Sequence, residues 1–492
     1  MLSEIYTGYS GALIAEGPSR DGSAKEKSEL STEVIMMKLR PMTAAQNIRY
    51  DKKSLAHLNW LIIPQGLHTS GYKPKSDDMP VDWNMYVHPE GTVYYVNTSS
   101  EITIVTDTPI YDPAALRKLE EGVSLVCVSM STSQTVMPNI VELYIYAEPD
   151  AEECKYYLID HESQTEFWLD DVEMSSLYMP PVSSEAHLKY TLQEHYWTHV
   201  EYFPHRPMPM YIRIELLDIL RHGSADQMTS DNSTFPFDAE QCTKLAALID
   251  VQNTESTTYM TCSIARIFVM IARHRYDHFY GEECVRLCRD QSVYEWPEVK
   301  PTSVMRLCSA LLFNFPKAMR RELELLYVDK IVYTIHWRAF MHTTKDGWQK
   351  NAATCAGLLL TNAVFIGFVK NTVSMCSGMA SMMLSLGGLL SGCALLHAYS
   401  YADKVNAATM TVYLRDIENS MSGFEPIAAI FSLPKALMLW SILFLSTDIL
   451  TLLFSAPDLL NMIALGIIAI LVSIAFVMMT VVLRRPSVDL MV

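Results

Sequence analysis

Hydrophobic and polar residues follow three patterns in succession along the chain. Between residues 76 and 175, short apolar–polar alternations separated by turn residues predict antiparallel strands. Between residues 185 and 350, apolar residues recur at helical spacing, as Leu188, Leu192 and Tyr196 do, which predicts a domain of amphipathic helices. Residues 351–485 contain long stretches with almost no charge, which predicts a membrane region.

The first 70 residues fit none of these patterns. Their composition is polar and mixed. A signal peptide would begin with a charged stretch followed by an apolar core, and the N-terminus lacks this pattern. We therefore expect a disordered tail over residues 1–70.

Four segments of the C-terminal region are long and apolar enough to cross about 30 Å of hydrocarbon as helices. A helix in the core of a water-soluble protein would show a polar stripe, and these segments do not. Lys and Arg residues near the segment ends predict that both termini and the large N-terminal region are cytosolic, but the sequence does not indicate which membrane. The segments are residues 352–369, 373–400, 436–455 and 460–483.

Small residues form one face of the second predicted span. They recur four and three positions apart, which places them in a stripe that allows another helix to approach closely. The sequence leaves open whether that helix belongs to the same chain or to a second copy in a homo-oligomer. The stripe consists of Ser374, Gly378, Ser381, Ser385, Gly388 and Gly392.

Asp448 is the one charged residue of the third predicted span. A charge at this depth costs at least roughly 2.5–3.5 kcal/mol, so the side chain should face protein or water, or be protonated. It is a candidate functional residue of a transporter or channel. No second ionisable residue lies deep in another predicted span, so the sequence shows no proton relay.

Composition and charge exclude some classes of function. Half of the residues are hydrophobic, 19% are charged, and the net charge of −17 argues against a nucleic-acid partner. The ten cysteines are scattered and form no CxxC pair, which is typical of a reduced compartment.

Two histidine pairs have the spacing of metal ligands. His195 and His199, like His274 and His278, are four residues apart. A zinc protease would have Glu directly after the first His, and neither pair does, so buried, hydrogen-bonded histidines are the preferred interpretation. We predict no metal site and no cofactor. No phosphate-binding loop or nucleophile motif supports an enzyme, although a site of an unrecognised kind is left open.

The stretch "MPVDWNMYVHPEGTVYYVNTSSEITIVTD" (79–107) predicts three short strands separated by turns. It resembles the WW domain family, in which Trp83 and Tyr95 match the structural aromatics, Tyr94 matches a groove tyrosine and Asn97 matches a polar strand residue. Val105 stands where the family has its second Trp. The resemblance implies a module over 76–113 that keeps the core and lacks most of the proline-binding groove.

A second copy of this layout follows in "ELYIYAEPDAEECKYYLIDHESQTEFWLDD" (142–171). Here Tyr157, His161 and Trp168 fall on the groove positions of the WW family, whereas Leu143 replaces the first Trp. The resemblance implies a module over 138–175 that binds Pro- and Tyr-containing segments through these three residues. The alternative is that the aromatic residues pack against the helical domain, since a WW fold without its core Trp is marginal.

The whole of residues 75–485 resembles a group of uncharacterised fungal membrane proteins with degenerate WW-like domains, through "HYWTHVEYF", "HGSADQMTS" and "GFEPIAAIFSLPKALMLW". This resemblance implies a multidomain α+β membrane protein, with two small antiparallel β modules, a cytosolic helical domain and a bundle of about four transmembrane helices. The expected function is a membrane-anchored scaffold that binds proline-rich protein segments. A transporter or a membrane enzyme is the alternative.

Overall fold

The protein is described by a computed structural model that contains two compact units, one within residues 17–293 and one that starts at residue 294. The structure describes residues 37–47, 49–50, 79–133, 136–250, 256–296, 302–367, 372–405, 407–419 and 422–454, with scattered positions between 55 and 66 and between 463 and 474.

Seven strands of the first unit form a single mixed sheet. The strands are β1 (Lys38–Pro41), β2 (Trp83–Val87), β3 (Val93–Asn97), β4 (Thr103–Thr106), β5 (Val141–Ala147), β6 (Glu153–Asp160) and β7 (Thr165–Phe167). Their order in the sheet is β1–β6–β5–β4–β3–β2, and β7 pairs with the end of β6 that β1 leaves free.

The predicted fold class, with two separate WW-like modules, is wrong. Two three-stranded antiparallel meanders do exist, β2–β3–β4 and β5–β6–β7. However, β4 pairs in parallel with β5, and helix α1 (Pro113–Thr132) makes the connection between them. A parallel pair needs such a crossover of a dozen or more residues. Two units that would be marginal alone thereby become one sheet with a shared core.

The sheet is buried on both faces. Leu143 and Ile145 of β5 pack in the core on the side of α1, whereas Tyr144 and Tyr146 belong to the core on the opposite side. Every residue of β5 is buried, because this strand lies in the middle of the sheet with helices on both sides.

Four helices share the core on the second side of the sheet. They are α2 (Glu185–Tyr202), α3 (Met210–Thr229), α4 (Ala239–Ile249) and α5 (Thr258–Asp277). Of these, α2 packs on the strands. Helices α2 and α5 pack closely together through the stacked rings of Trp197 and Phe268, 4.3 Å apart. Ser184 caps the first helix by accepting a hydrogen bond from the His187 amide at 3.0 Å. The predicted helical domain over 185–350 is therefore shared between the two units, which divide at residue 294.

Strand β1 lies inside the segment for which the sequence predicts disorder. It pairs in parallel with β6 over four residues, and the Met42 amide continues the pairing to the Tyr156 carbonyl at 3.0 Å. Residues 1–36 of the predicted tail lie outside the described residues.

The second unit consists of helices. Three of them, α8, α9 and α11, pack along one another, and the indole N–H groups of Trp337 and Trp348 in α8 donate to the carbonyls of Ala402 and Phe431. The helices are α6 (Ser303–Leu311), α7 (Phe315–Leu326), α8 (Thr334–Ile366), α9 (Thr372–Ala398), α10 (Ala407–Ile417) and α11 (Glu425–Phe454).

Two helices in the described part of the chain, α9 and α11, are long and apolar enough to cross a membrane. The predicted transmembrane bundle is therefore not what the described residues show, since only two of its four spans fall in helices of this kind. The first predicted span, 352–369, is the end of the 33-residue α8, whose earlier turns are polar. The second and third fall within α9 and α11, and the fourth, 460–483, lies largely outside the described residues.

Candidate functional site

The aromatic groove predicted for the second meander is filled by the protein itself. Tyr157 of β6 is fully buried, stacks on Tyr144 at 4.7 Å and donates its hydroxyl to Nδ1 of His199 in α2 at 3.1 Å. The alternative considered for these residues, packing against helices, is the arrangement that the structure shows.

Trp168, the second wall of the predicted groove, is half-buried just after β7. Its indole N–H donates to the Met42 carbonyl at 2.8 Å, so it fastens the segment after β1 to the sheet. His161 lies after β6 and faces Tyr196 and Glu142, at 3.3 Å from each. Each of the three predicted ligand contacts thus faces partners within the protein itself.

The predicted structural residues of the first meander divide between the two faces of the sheet. Tyr94 stacks on Tyr86 at 5.6 Å on the side of α2, and Tyr95 lies on the side of α1. Trp83 is half-buried opposite Asn97, whose side-chain oxygen accepts the Ser99 amide and shapes the next turn. These residues build the sheet and leave no ligand surface between them.

A buried carboxylate that the sequence analysis missed organises the contact between the sheet and α2. Glu142 of β5 points to the helical face, like Tyr144 two residues later, and its side chain is fully buried. The ring of His199 donates from Nε2 to one carboxylate oxygen at 2.7 Å, and His161 Nε2 lies 3.3 Å from the other. Since His199 Nε2 donates, its Nδ1 is the acceptor for the Tyr157 hydroxyl.

Two further groups complete the surroundings of Glu142. His205 Nε2 lies 3.3 Å from Oε2, without the geometry of a directed hydrogen bond, and the Arg206 guanidinium lies 3.8 Å away with 39% of its side chain exposed. Burial alone would raise the pKa of the Glu142 carboxyl, but the nearby His205 and the hydrogen bonds from His161 and His199 hold it well below its usual range. Burial lowers the pKa of His199, so this ring stays neutral beside an ionised Glu142.

A second carboxylate–histidine pair lies one helical turn away. His195 Nδ1 is 2.9 Å from Oε2 of Glu166 in β7, and the other oxygen of Glu166 accepts the Ala44 amide at 2.7 Å. Burial would lower the pKa of His195, but the carboxylate of Glu166 raises it. The two histidines therefore do not share a ligand, and each faces a glutamate on a different strand.

The histidines of the second pair also make contacts within the protein. His274 and His278 stack with ring centroids 4.1 Å apart, and each ring bonds a backbone carbonyl, that of Thr234 and that of His274 respectively. Among the described residues, no group of three or more His, Cys, Asp or Glu side chains has the arrangement of a metal site. Around Glu142, the ring nitrogens of His199 and His161 lie 2.7 and 3.3 Å from the carboxylate oxygens. A metal ion would need about 2 Å to each ligand, so it does not fit between these atoms.

The buried charges therefore connect elements and have no access to a substrate. The Glu142 and Glu166 side chains are fully buried, and the exposed rim of the cluster is formed mainly by Arg206. The sequence does contain a signal for this arrangement. Glu142 is the one charged residue of the otherwise apolar strand β5, and a buried carboxylate requires a donor such as a histidine.

In the second unit, the predicted stripe of small residues contacts other helices of the same chain. All six residues are buried. A Cβ at Gly388 would lie 2.6 Å from Sγ of Cys355 in α8, and one at Gly392 would lie 3.1 Å from Ala352. Ser381 and Ser441 of α11 each donate to the other's backbone carbonyl, at 2.7 and 3.0 Å.

Asp448 faces the same stripe from α11 and is fully buried. One carboxylate oxygen accepts a hydrogen bond from the Ser374 hydroxyl. The other has no hydrogen-bond donor among the described residues and lies 3.2 Å from the place where a Cβ of Gly378 would be. The glycine therefore makes the space that this oxygen occupies.

Comparison with known proteins adds no assignment. No protein-family model matches the chain, and no curated protein or solved structure shows significant similarity to it. Function therefore has to be argued from the geometry alone.

Proposed function

We propose that the protein is a membrane-anchored scaffold or adaptor whose sheet-and-helix unit binds other proteins. The observation that supports this proposal is an exposed apolar surface at the start of α3. Met210, Tyr211 and Ile214 lie within one turn of each other and are 56%, 60% and 51% exposed. Met and Tyr are enriched in protein interfaces, and clustered exposed apolar residues mark interaction sites.

The neighbouring helix carries a further exposed apolar residue. The Arg213 side chain donates to the Ile249 carbonyl at 3.0 Å, which brings the end of α4 next to the start of α3. Leu248 is exposed there. We name the surface of Met210, Tyr211, Ile214 and Leu248 the α3 patch.

The α3 patch replaces the aromatic groove as the proposed contact. Binding of a Pro-rich segment by Tyr157, His161 and Trp168 would require α2 to leave the sheet and expose the Glu142 cluster, which costs several kcal/mol.

Three further parts of the proposal come from sequence patterns. Anchoring is supported by the length and apolar composition of α9 and α11. The cytosolic position of both termini is supported by the distribution of Lys and Arg. Similarity to a group of uncharacterised fungal membrane proteins is supported by the motifs "HYWTHVEYF", "HGSADQMTS" and "GFEPIAAIFSLPKALMLW".

The experiment compares partners captured by cross-linking in native membranes. We expect the triple variant Met210→Ser/Tyr211→Ser/Ile214→Ser to lose a defined set of partners while it stays folded and resists alkaline extraction from the membrane. The matched control is Tyr178→Ser/Met228→Ser, which removes two exposed apolar residues outside the patch. An unchanged set of partners in the triple variant would refute the α3 patch, and release of the protein by alkali would refute the anchor.

A second candidate function is transport of a proton or cation, and Asp448 is the observation that favours it. A fully buried carboxylate with one unbonded oxygen in an apolar helix is expensive, and such residues are usually functional. In proteoliposomes, Asp448→Asn should then abolish a measurable flux, while Ser446→Ala, an exposed change on the same helix, should not. Equal flux in both variants would exclude a role for Asp448.

A further inference from the structure

A cavity of about 300 Å³ lies between α6, α7 and the start of α11. Polar and basic side chains line it, although the chain as a whole carries a net charge of −17. The polar lining consists of Arg306, Ser309, Asn314, Lys317, Arg320 and Glu425.

The cavity has an excess of positive charge. Arg320 lies 3.4 Å from Glu425 and 3.4 Å from Glu324, so it is paired. Arg306 and Lys317 have no acidic partner among the residues that the structure describes. Two cations that line one cavity and have no carboxylate paired with them are a binding arrangement for a phosphate group.

Glu425 contributes a different chemical group. Its Oε1 accepts from the Arg320 guanidinium, whereas its buried Oε2 has no hydrogen-bond donor in the described part of the chain. A hydroxyl group of a ligand would satisfy this oxygen. The lining therefore fits a ligand that carries both a phosphate and a hydroxyl.

The position of the cavity along α11 indicates where such a ligand comes from. Lys435 lies over the ring of Phe315 at 4.3 Å, and the Trp440 indole donates to the Leu311 carbonyl at 2.8 Å. Within α11, Lys435 directly precedes the third predicted span and Trp440 lies in the second turn of that span. Lys and Trp near the start of an apolar span are typical of the membrane–water interface. Ala429, which also lines the cavity, precedes Lys435 by about six residues, roughly 9 Å of helix, which is the depth of lipid headgroups.

Helix α6 supports the same location. Val304, Leu307 and Leu311 are exposed at spacings of three and four residues, so they form an apolar face beside the cavity. A short helix with such a face and Arg306 on another side is typical of helices that lie in the plane of a membrane surface. A soluble phosphate compound would not require this apolar face.

We propose that the cavity binds the polyol phosphate headgroup of an anionic phospholipid. Arg306 and Lys317 hold the phosphate together with Arg320, and Glu425 accepts a hydroxyl of the polyol. The lipid chains lie along the apolar face of α6.

The experiment measures lipid binding to the full-length protein in detergent by native mass spectrometry. The probes are dioctanoyl phosphatidylinositol, dioctanoyl phosphatidic acid, dioctanoyl phosphatidylcholine and soluble inositol phosphate. We expect phosphatidylinositol to bind best, and Arg306→Ala/Lys317→Ala to weaken its binding on the order of tenfold per cation removed, as for charge-assisted hydrogen bonds.

The matched control is Arg321→Ala/Lys350→Ala, which removes two exposed cations outside the cavity and should leave binding unchanged. Equal loss in both double variants would show nonspecific attraction and overturn the site. Equal binding of phosphatidylcholine would overturn the charge selectivity. Equal binding of soluble inositol phosphate would assign the cavity to a soluble ligand and overturn the lipid, and equal binding of phosphatidic acid would overturn the role of Glu425.

Discussion

At the scale of single residues, Glu142 has the largest effect on how the sheet and α2 fit together. An ionised carboxylate with no exposed surface is tolerated because His199, His161 and Arg206 surround it. The neutral His199 also orients Tyr157, so one carboxylate positions a chain of side chains from β5 through α2 to β6.

Glu142→Gln removes the charge and keeps the shape of the side chain. We expect a loss of about 3–5 kcal/mol in the free energy of unfolding, because removing one charge from a buried network leaves the remaining buried groups without their partner. The loss is measured by urea unfolding of the full-length protein. Hydrogen exchange in peptides of β5 and α2 locates it. Glu240→Gln is the control, since Glu240 pairs with Lys244 at 2.6 Å on the surface, where water screens the pair, and it should leave stability nearly unchanged. Similar losses in both variants would refute the role of Glu142.

At the scale of elements, the close packing of α8 against α9 depends on glycine. Gly388 brings the backbone of α9 next to Cys355, and Gly378 leaves space for Asp448. Small residues at such contacts let helices approach without a hydrophobic driving force, which is the condition inside a lipid bilayer.

Gly388→Val should separate the two helices, because a Cβ there would lie 2.6 Å from the Cys355 sulfur. We expect a loss of about 1–3 kcal/mol from overpacking, seen as a lower temperature of aggregation in detergent by size-exclusion chromatography. Gly357→Val in α8 is the control, since nothing lies within 4 Å of a Cβ at that position.

A second change separates the proposed cause from a general loss of helix stability. Cys355→Ala in the Gly388→Val background removes the clashing sulfur and should restore part of the lost stability. If it restores none, the contact with Cys355 is not the reason for the loss.

At the scale of the whole sheet-and-helix unit, buried neutral histidines determine the response to acid. Burial lowers the pKa of His88 from 6.5 to about 4, and it also lowers the pKa values of His199, His274 and His278. His195 is shifted upward by Glu166, so its contribution to stability has the opposite dependence on pH.

The unit should therefore lose stability as the pH falls from 6.5 to 4. In this window the unfolded chain binds protons that the folded histidines cannot bind, so the free energy of unfolding decreases. His88→Gln should make this decrease shallower by at most about 1.4 kcal/mol per pH unit, because one histidine accounts for one proton. Hydrogen exchange in peptides of α5, where Cys262 contacts His88 at 3.5 Å, reports the change.

The control for this experiment is His222→Gln, since His222 is exposed on α3. It should leave the slope of stability against pH as in the unsubstituted protein. A steeper slope for His88→Gln, or an equal slope for both variants, would contradict the assignment of acid sensitivity to buried rings.

The sequence by itself predicted the local elements of this protein. Alternation of apolar and polar residues predicted the strands of both meanders, and periods of three and four predicted α2 and the small-residue face of α9. Long uncharged stretches predicted the two helices that are able to cross a membrane. These features are local because each depends on residues a few positions apart.

Only the tertiary structure decided how these elements combine. The parallel pairing of β4 with β5 joins residues about 40 positions apart, and no local pattern encodes it. This pairing converts two apparent WW modules into one sheet. It also turns Tyr157 and Trp168 from candidate groove residues into internal contacts, since a face that looks free in an isolated meander is the face that α2 covers.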